Sequence, residues 1–175
     1  MGKSAVFYCS ANEAIDPEFN RVAREIVRAV CSHGYDVCSG GTIKGTMKVV
    51  CETARECGVH VRGILPDFMH GIQSPDQDEV IWTKTMSERK EKMREGTTLA
   101  VALPGGIGTL DELVETYTLL KMGLYGGKVI AFNYNGFWEP LKALLDHFVQ
   151  TGMLDAASRE LIYFPTDIAG LEELI

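Results

Sequence analysis

A chain of 175 residues with 46% hydrophobic and 23% charged residues has the make-up of an ordinary globular domain, long enough to bury a substantial core. Its net charge of −7 argues against a nucleic-acid surface, which needs clustered Lys and Arg. Five cysteines (9, 31, 38, 51 and 57) form an odd set without Cys-x-x-Cys or zinc spacing, and read as reduced, mostly buried small side chains of a cytoplasmic protein.

The N-terminus runs straight into a strand without a leader-like apolar segment, and Val6 stands where a myristoylation signal needs Ser or Thr. No apolar stretch approaches the ~20 residues of a bilayer span, so no membrane partner is expected. Residues 4–9 read as a first strand and 17–33 as a helix carrying Phe19, Val22, Ile26 and Val30 on one face, with Gly34 closing it. A short strand at 35–38 ends in Ser39-Gly40-Gly41. A helix over 44–57 with Met47, Val50, Cys51 and Ala54 on one side is closed by Gly58, and a strand at 59–65 is stopped by Pro66. Residues 66–79, with two prolines, one glycine and several polar residues, read as a loop over a site. A strand at 80–83, a helix at 85–95 and a strand at 99–103 follow, then a helix at 110–124. Strand, helix, strand and helix repeat at 128–133, 137–151, 161–164 and 167–175.

This alternation over one domain, 1–175, predicts an α/β fold: a Rossmann-like, doubly wound parallel sheet with helices on both faces. Ligands of such sheets sit at the C-terminal ends of the strands, where both glycine turns fall.

The densest chemical signal is Pro104-Gly105-Gly106-Ile107-Gly108-Thr109, placed between a buried strand and a helix. Backbone N–H groups at a helix N-terminus attract anions, and a phosphate suits that position. The alternative reading is a plain strand-to-helix connection. Neither common nucleotide fingerprint fits. Asp111 stands where a dinucleotide motif needs its third glycine, and Lys44 precedes Gly45 where a P-loop lysine must follow the glycine.

Glu112 lies one helical turn beyond the glycines. An acid beside a phosphate seat fits attack on the sugar carbon of a nucleotide or sugar phosphate, but Thr109-Leu110-Asp111-Glu112 also matches a helix capping box. Glu115, a turn later, reads as a solvated or rim charge. Arg89 falls between Met86 and Met93 on a helical stripe, where an inward guanidinium would need an anion; the alternative is a surface arginine, and neighbouring Lys90 flanks the same stripe. The four histidines (33, 60, 70 and 147) have no metal-ligand spacing, and only His70, in the 66–79 loop, merits attention as a site residue. Gly40-Gly41-Thr42, with Ser39, is a second candidate substrate-facing turn.

Together, Met86-x-x-Arg89-Lys90-x-x-Met93 and Pro104-Gly105-Gly106-Ile107-Gly108-Thr109-x-x-Glu112 resemble the LOG family, which includes cytokinin riboside 5′-monophosphate phosphoribohydrolases. The resemblance covers nearly the whole chain, from Val6-Phe7-Tyr8-Cys9-Ser10 through Gly40-Gly41-x-x-x-Gly45-x-Met47 to the segment 152–165. It implies a homodimer that hydrolyses the N-glycosidic bond of a nucleoside 5′-monophosphate, without metal or organic cofactor. By motif match Arg89 and Glu112 take the catalytic places and Gly105, Gly106, Gly108 and Thr109 hold the phosphate. Lys90, Gly41, Ser10 and Met86 complete the expected substrate contacts. The chain departs from the family pattern at Thr42 (commonly a third glycine), Lys48 (commonly small), Ser87 (often histidine) and Leu119-Leu120-Lys121 (commonly Trp-x-Gln), positions expected near the base pocket or dimer face.

A decarboxylase, an older label for such sequences, would need a pyridoxal phosphate Schiff base, and no pattern for that cofactor accompanies Lys44, Lys48 or Lys90. A non-catalytic nucleotide or cofactor carrier of the same fold is the other reading, because a phosphate seat alone does not make an enzyme.

Overall fold

A computed structural model describes residues 2–175. Its seven strands are β1 (Lys3–Tyr8), β2 (Tyr35–Ser39), β3 (Val61–Pro66), β4 (Glu79–Thr83), β5 (Leu99–Ala102), β6 (Lys128–Ala131) and β7 (Ile162–Tyr163). The helices are α1 (Pro17–Ser32), α2 (Gly45–Glu56), α3 (Met86–Arg94), α4 (Ile107–Lys121), α5 (Glu139–Gln150), α6 (Ala156–Arg159) and α7 (Ile168–Glu172). All seven strands join one sheet in the order β4-β3-β2-β1-β5-β6-β7, and every pairing is parallel. The chain winds outward from β1 to β4, returns to place β5 beside β1, and winds outward the other way. This is the expected doubly wound α/β fold, and its strand order reverses between β1 and β5.

Strand side chains alternate between faces, and β1 shows the division. Ala5 and Phe7 enter one core layer with Ile26, Val30, Val50 and Leu171 from α1, α2 and α7. Val6 and Tyr8 enter the opposite layer with Met93, Leu113, Tyr117 and Leu145 from α3, α4 and α5. The central strands are therefore buried on both faces, which is why they read as unbroken apolar runs. Among the described residues no helix is long and apolar enough to cross a membrane.

Helix α1 carries clear start signals. Asp16 accepts from the Glu18 N–H at 2.9 Å and Pro17 occupies the first turn. Several boundaries differ. Helix α4 begins at Ile107, three residues before the expected Leu110, because the backbone turns at Gly105 and Gly106 and Gly108 is taken into the first helical turn. Helix α5 begins at Glu139, after a 3₁₀ turn over Tyr134–Gly136. The Asn133 side chain accepts from the Trp138 N–H at 2.7 Å at the junction between the two. Helix α6 was not anticipated; Asp155 caps it through the Ser158 N–H.

Residues 66–79 are not a free loop. After a 3₁₀ turn over Asp67–Met69 the segment is tied to the second glycine turn. The Ile43 N–H donates to the Ile72 carbonyl at 2.9 Å, the Ser74 N–H donates to the Gly41 carbonyl at 2.8 Å, and Thr42 bridges Gln73.

Candidate active site

The site is assembled at the C-terminal ends of β1 and β5, where the reversal of strand order opens a crevice. From β5 the chain passes through Leu103 and Pro104, both buried, into the glycine turn. Gly105 is fixed by a close approach, since a Cβ there would lie 2.2 Å from Thr109 Oγ1. Gly106 is the N-cap of α4. No side chain among the described residues caps it, and the first turn holds no acidic residue. The first-turn N–H groups and the positive end of the helix dipole therefore stand uncompensated at the crevice, with Gly106, Gly108 and Thr109 in its wall.

This overturns the capping-box reading of Thr109 and Glu112. Thr109 is the third residue inside α4 and Glu112 lies in its second turn, so neither side chain serves the first N–H groups. The same Thr-x-x-Glu spacing does cap α3. Thr85 accepts from the Glu88 N–H at 3.1 Å, and the Glu88 carboxylate accepts from the Lys84 N–H at 2.8 Å.

Helix α3 delivers Arg89 into the protein, where it is only 4% exposed. Its Nε–H donates to the Ile64 carbonyl of β3 at 3.0 Å, and its Nη1 donates to Glu112 Oε1 at 2.8 Å. The other arm of the guanidinium lies over Gly40, where a Cβ would fall 2.3 Å from Nη2. Met93 is fully buried and Met86 half exposed, so the stripe seen in the sequence is the inward side of α3, and Arg89 rather than Lys90 is its buried cation. Lys90 turns to the crevice edge, where its Nζ donates to Asp111 at 2.9 and 3.1 Å and pairs with Glu115. These bonds raise the Lys90 pKa. Glu115 also accepts from Arg94 at 2.7 Å, as a rim charge.

Glu112 is 5% exposed. Burial pushes its carboxyl pKa up from the ordinary value, against the pull of Arg89. Its own carbonyl accepts from Thr116 Oγ1 at 2.7 Å, and Thr116 meets Tyr8 Oη at 2.8 Å, which ties this turn of α4 to β1.

Ser10, just past β1, accepts from the Asn12 N–H through its hydroxyl at 3.0 Å. Gly41 holds a left-handed φ of 74°, open to glycine and strained for other residues. Around one cleft of about 270 Å³ the structure brings together Arg89, Glu112, Lys90, Ser10, Met86, Gly106, Gly108 and Thr109. Gly105 and Gly41 do not line it; they shape its two turns.

Periodicity had not singled out Cys9, Ala11, Met69 or Asp111 as cleft residues, and had read Met47 only as part of a helix face. The Cys9 thiol is pushed up by burial, so it serves as packing. His70 does not reach the cleft but stacks on Trp82, with ring centroids 3.6 Å apart. Of the departures noted, only Thr42 lines the cleft; Lys48 pairs with Glu52 on the exposed side of α2, and Ser87 and Leu119 face elsewhere. A larger, open groove of about 980 Å³ runs between α3 and the end of α4. It holds none of the expected site residues, and its carboxylates at Glu95 and Glu115 are paired with Lys92 and Arg94.

The model of a family described as "Possible lysine decarboxylase" matches residues 47–174. A "Probable cytokinin riboside 5′-monophosphate phosphoribohydrolase" of Oryza sativa is 30% identical over 93% of the chain and 71% of the relative. A "Cytokinin riboside 5′-monophosphate phosphoribohydrolase" of Mycobacterium tuberculosis is 31% identical over 87% of the chain and 82% of the relative. The chain belongs to the LOG family. The family match spans both LOG signatures, on α3 and at the start of α4, whereas Cys9, Ser10, Ala11 and Thr42 lie before it. Among solved structures, the molybdenum cofactor carrier protein of Chlamydomonas reinhardtii is similar with a TM-score of 0.72 at 22% identity, covering 98% of this chain and 94% of that one. A molybdenum cofactor binding protein of Rippkaea orientalis is similar with a TM-score of 0.73 at 20% identity, covering 99% and 96%. These two likenesses are of fold.

A buried ion pair cut in half leaves a bare charge. Glu112→Ala is expected to cost about 3–5 kcal/mol of unfolding free energy, and replacing Arg89 and Glu112 together by Met should recover much of that loss. Urea denaturation measures both. A cost for Glu112→Ala of about 1 kcal/mol or less, the range of solvent-exposed pairs, would contradict the buried pair.

Proposed function

We propose that this LOG-family chain hydrolyses the N-glycosidic bond of a nucleoside 5′-monophosphate. The substrate is AMP or an N6-modified AMP such as a cytokinin riboside monophosphate, and the products are free base and ribose 5-phosphate. The observation that carries the reading is the buried carboxylate of Glu112, held by Arg89 in the same cleft as an uncapped helix N-terminus. The relatives named as phosphoribohydrolases support it.

In this reading the 5′-phosphate sits on the N–H groups around Gly106, Gly108 and Thr109, which Gly105 keeps open by leaving room for the Thr109 side chain. Lys90 stands at the rim, its charge already balanced by Asp111 and Glu115. Ser10 and Met86 flank the sugar and base, and Gly41 shapes the opposite turn. As the C1′–N bond breaks, positive charge builds on the ribose, in an oxocarbenium-like transition state. Ionised Glu112 is placed to stabilise that charge and to accept from a ribose hydroxyl, while Arg89 fixes its orientation. Water supplies hydroxyl to C1′ and a proton to the departing base, so the bond exchange balances with water alone. A carrier has use for the phosphate seat but none for a buried carboxylate, and this favours hydrolysis over the carrier reading.

We further propose a homodimer. Ile107, Leu110 and Val114 form one apolar stripe along α4, with Ile107 83% and Val114 41% exposed, next to a shallow groove of about 590 Å³. The reduced thiols support a cytoplasmic site.

Incubation with AMP and with N6-isopentenyl-AMP, followed by chromatography, should show free base and ribose 5-phosphate. Glu112→Gln should lower kcat by about 10²-fold or more while binding persists. Binding of both nucleotides with no base released by the wild-type protein would instead make the chain a carrier. The raised Glu112 pKa sets the sign of the pH dependence. The carboxyl stays protonated to higher pH than an ordinary one, so kcat/KM should climb with pH through an inflection above the usual carboxylate value of about 4.3. That limb should vanish in Glu112→Gln; a limb kept in the variant would assign it elsewhere. Light scattering should give twice the chain mass, and Val114→Glu should reduce it to one. A wild-type monomer would remove the dimer proposal.

A further inference from the structure

Gln77 precedes β4 and is neither in the cleft nor in either LOG signature, yet its carboxamide is built into the second glycine turn. Its Nε2 donates to the Gly41 carbonyl at 2.9 Å and to the Ser74 carbonyl at 2.8 Å. Its Oε1 is buried and has no donor among the described residues. The carboxamide fills the space of two absent side chains: a Cβ on Gly63 would lie 1.1 Å from Oε1, and one on Gly41 would lie 2.6 Å from it. Two carbonyl oxygens face the amide, so only the NH₂ group can occupy that side; turned over, Oε1 would meet both acceptors. Leaving a buried oxygen bare is unfavourable, and the arrangement persists because the two donated bonds need that orientation.

The other side of the turn faces the cleft. Gly40 lies against the Arg89 guanidinium, and Thr42 stands in the cleft wall with its Oγ1 3.4 Å from Met47 Sδ. Met47, Met69 and Met86 make this wall apolar, while the wall beneath Gly106, Gly108 and Thr109 presents N–H groups. Thioethers on unbranched, polarisable side chains suit the face of a flat heteroaromatic base and adapt to its substituents.

We propose that Gln77 is a positioning residue for base recognition, clamping the 40–42 turn so that Thr42 and Met47 meet the base. It acts through the turn and does not touch the substrate. The inference rests on the nucleotide reading of the cleft. It extends that reading to a residue outside both sequence signatures.

Gln77→Leu keeps the bulk and removes both donors. The expected result is a KM for AMP raised about tenfold, the size of one lost buried hydrogen bond, with kcat within about twofold. A purely structural role would leave KM unchanged and lower kcat in step with the folded fraction, and that result would overturn the proposal. A second measurement needs no variant. In the wild-type protein, the Gln77 side-chain NH₂ should exchange with solvent at least about 10²-fold more slowly than exposed carboxamides, followed by NMR. Exchange at the exposed rate overturns the clamp even if Gln77→Leu fails to fold. Wild-type protein that binds AMP but releases no base counts against the hydrolase reading alone. The clamp is then judged by calorimetry, where Gln77→Leu should weaken AMP binding about tenfold and unchanged affinity overturns it.

Discussion

The buried pairing of Arg89 with Glu112 is the constraint around which this end of the molecule is arranged. Neither charge could sit at 4–5% exposure alone, because an unpaired buried ion is far too costly. Once paired, the two impose conditions on their surroundings. The guanidinium uses its Nε–H on the Ile64 carbonyl, so α3 is registered against β3. The remaining arm demands a residue without a side chain at Gly40, so the second glycine turn is registered against α3. Glu112 projects from the second turn of α4, and the Thr116–Tyr8 contact holds that part of the helix to β1. One ion pair thus joins three strands' worth of loops at the point where the strand order reverses.

That placement brings two electrostatic features of opposite kind into one cleft. The N-terminus of α4 offers N–H donors and partial positive charge, and Glu112, a turn and a half further along the same helix, offers a carboxylate. A ligand with an anionic end and a region that becomes cationic during reaction is complementary to both. The Lys90–Asp111–Glu115–Arg94 network surrounds them without adding a second free anion seat, since each of its cations is already held by carboxylates.

The fold was legible because its evidence is local and repeated. Apolar runs of four to six residues alternate with amphipathic helices, and the parallel, doubly wound arrangement follows from that alternation. Arg89 and Glu112 were legible as candidates through the two signatures, but their contact was not. Periodicity cannot separate Arg89 from its neighbour Lys90, and what separates them is Glu112 and the Ile64 carbonyl, 23 and 25 residues away. The Thr-x-x-Glu spacing at Thr109 misled because the same pattern at Thr85 is a true cap, and only the backbone turn at Gly106 distinguishes them. Gln77 and Met69 left no local trace at all. Their roles depend on the segment between β3 and β4 being tied back to the Gly41 turn, a tertiary fact carried by backbone hydrogen bonds and by the Gln77 carboxamide.

The central claim is that one nucleotide spans this cleft with its phosphate on α4 and its ribose at residue 112. A crystal structure of the Glu112→Gln variant with AMP bound tests it most directly. The account predicts phosphate oxygens about 2.7–3.2 Å from backbone nitrogens of the Gly106–Thr109 turn, with the ribose against the residue-112 side chain and the base against Met47. A phosphate bound away from that turn, or a base seated where the phosphate is expected, would contradict it.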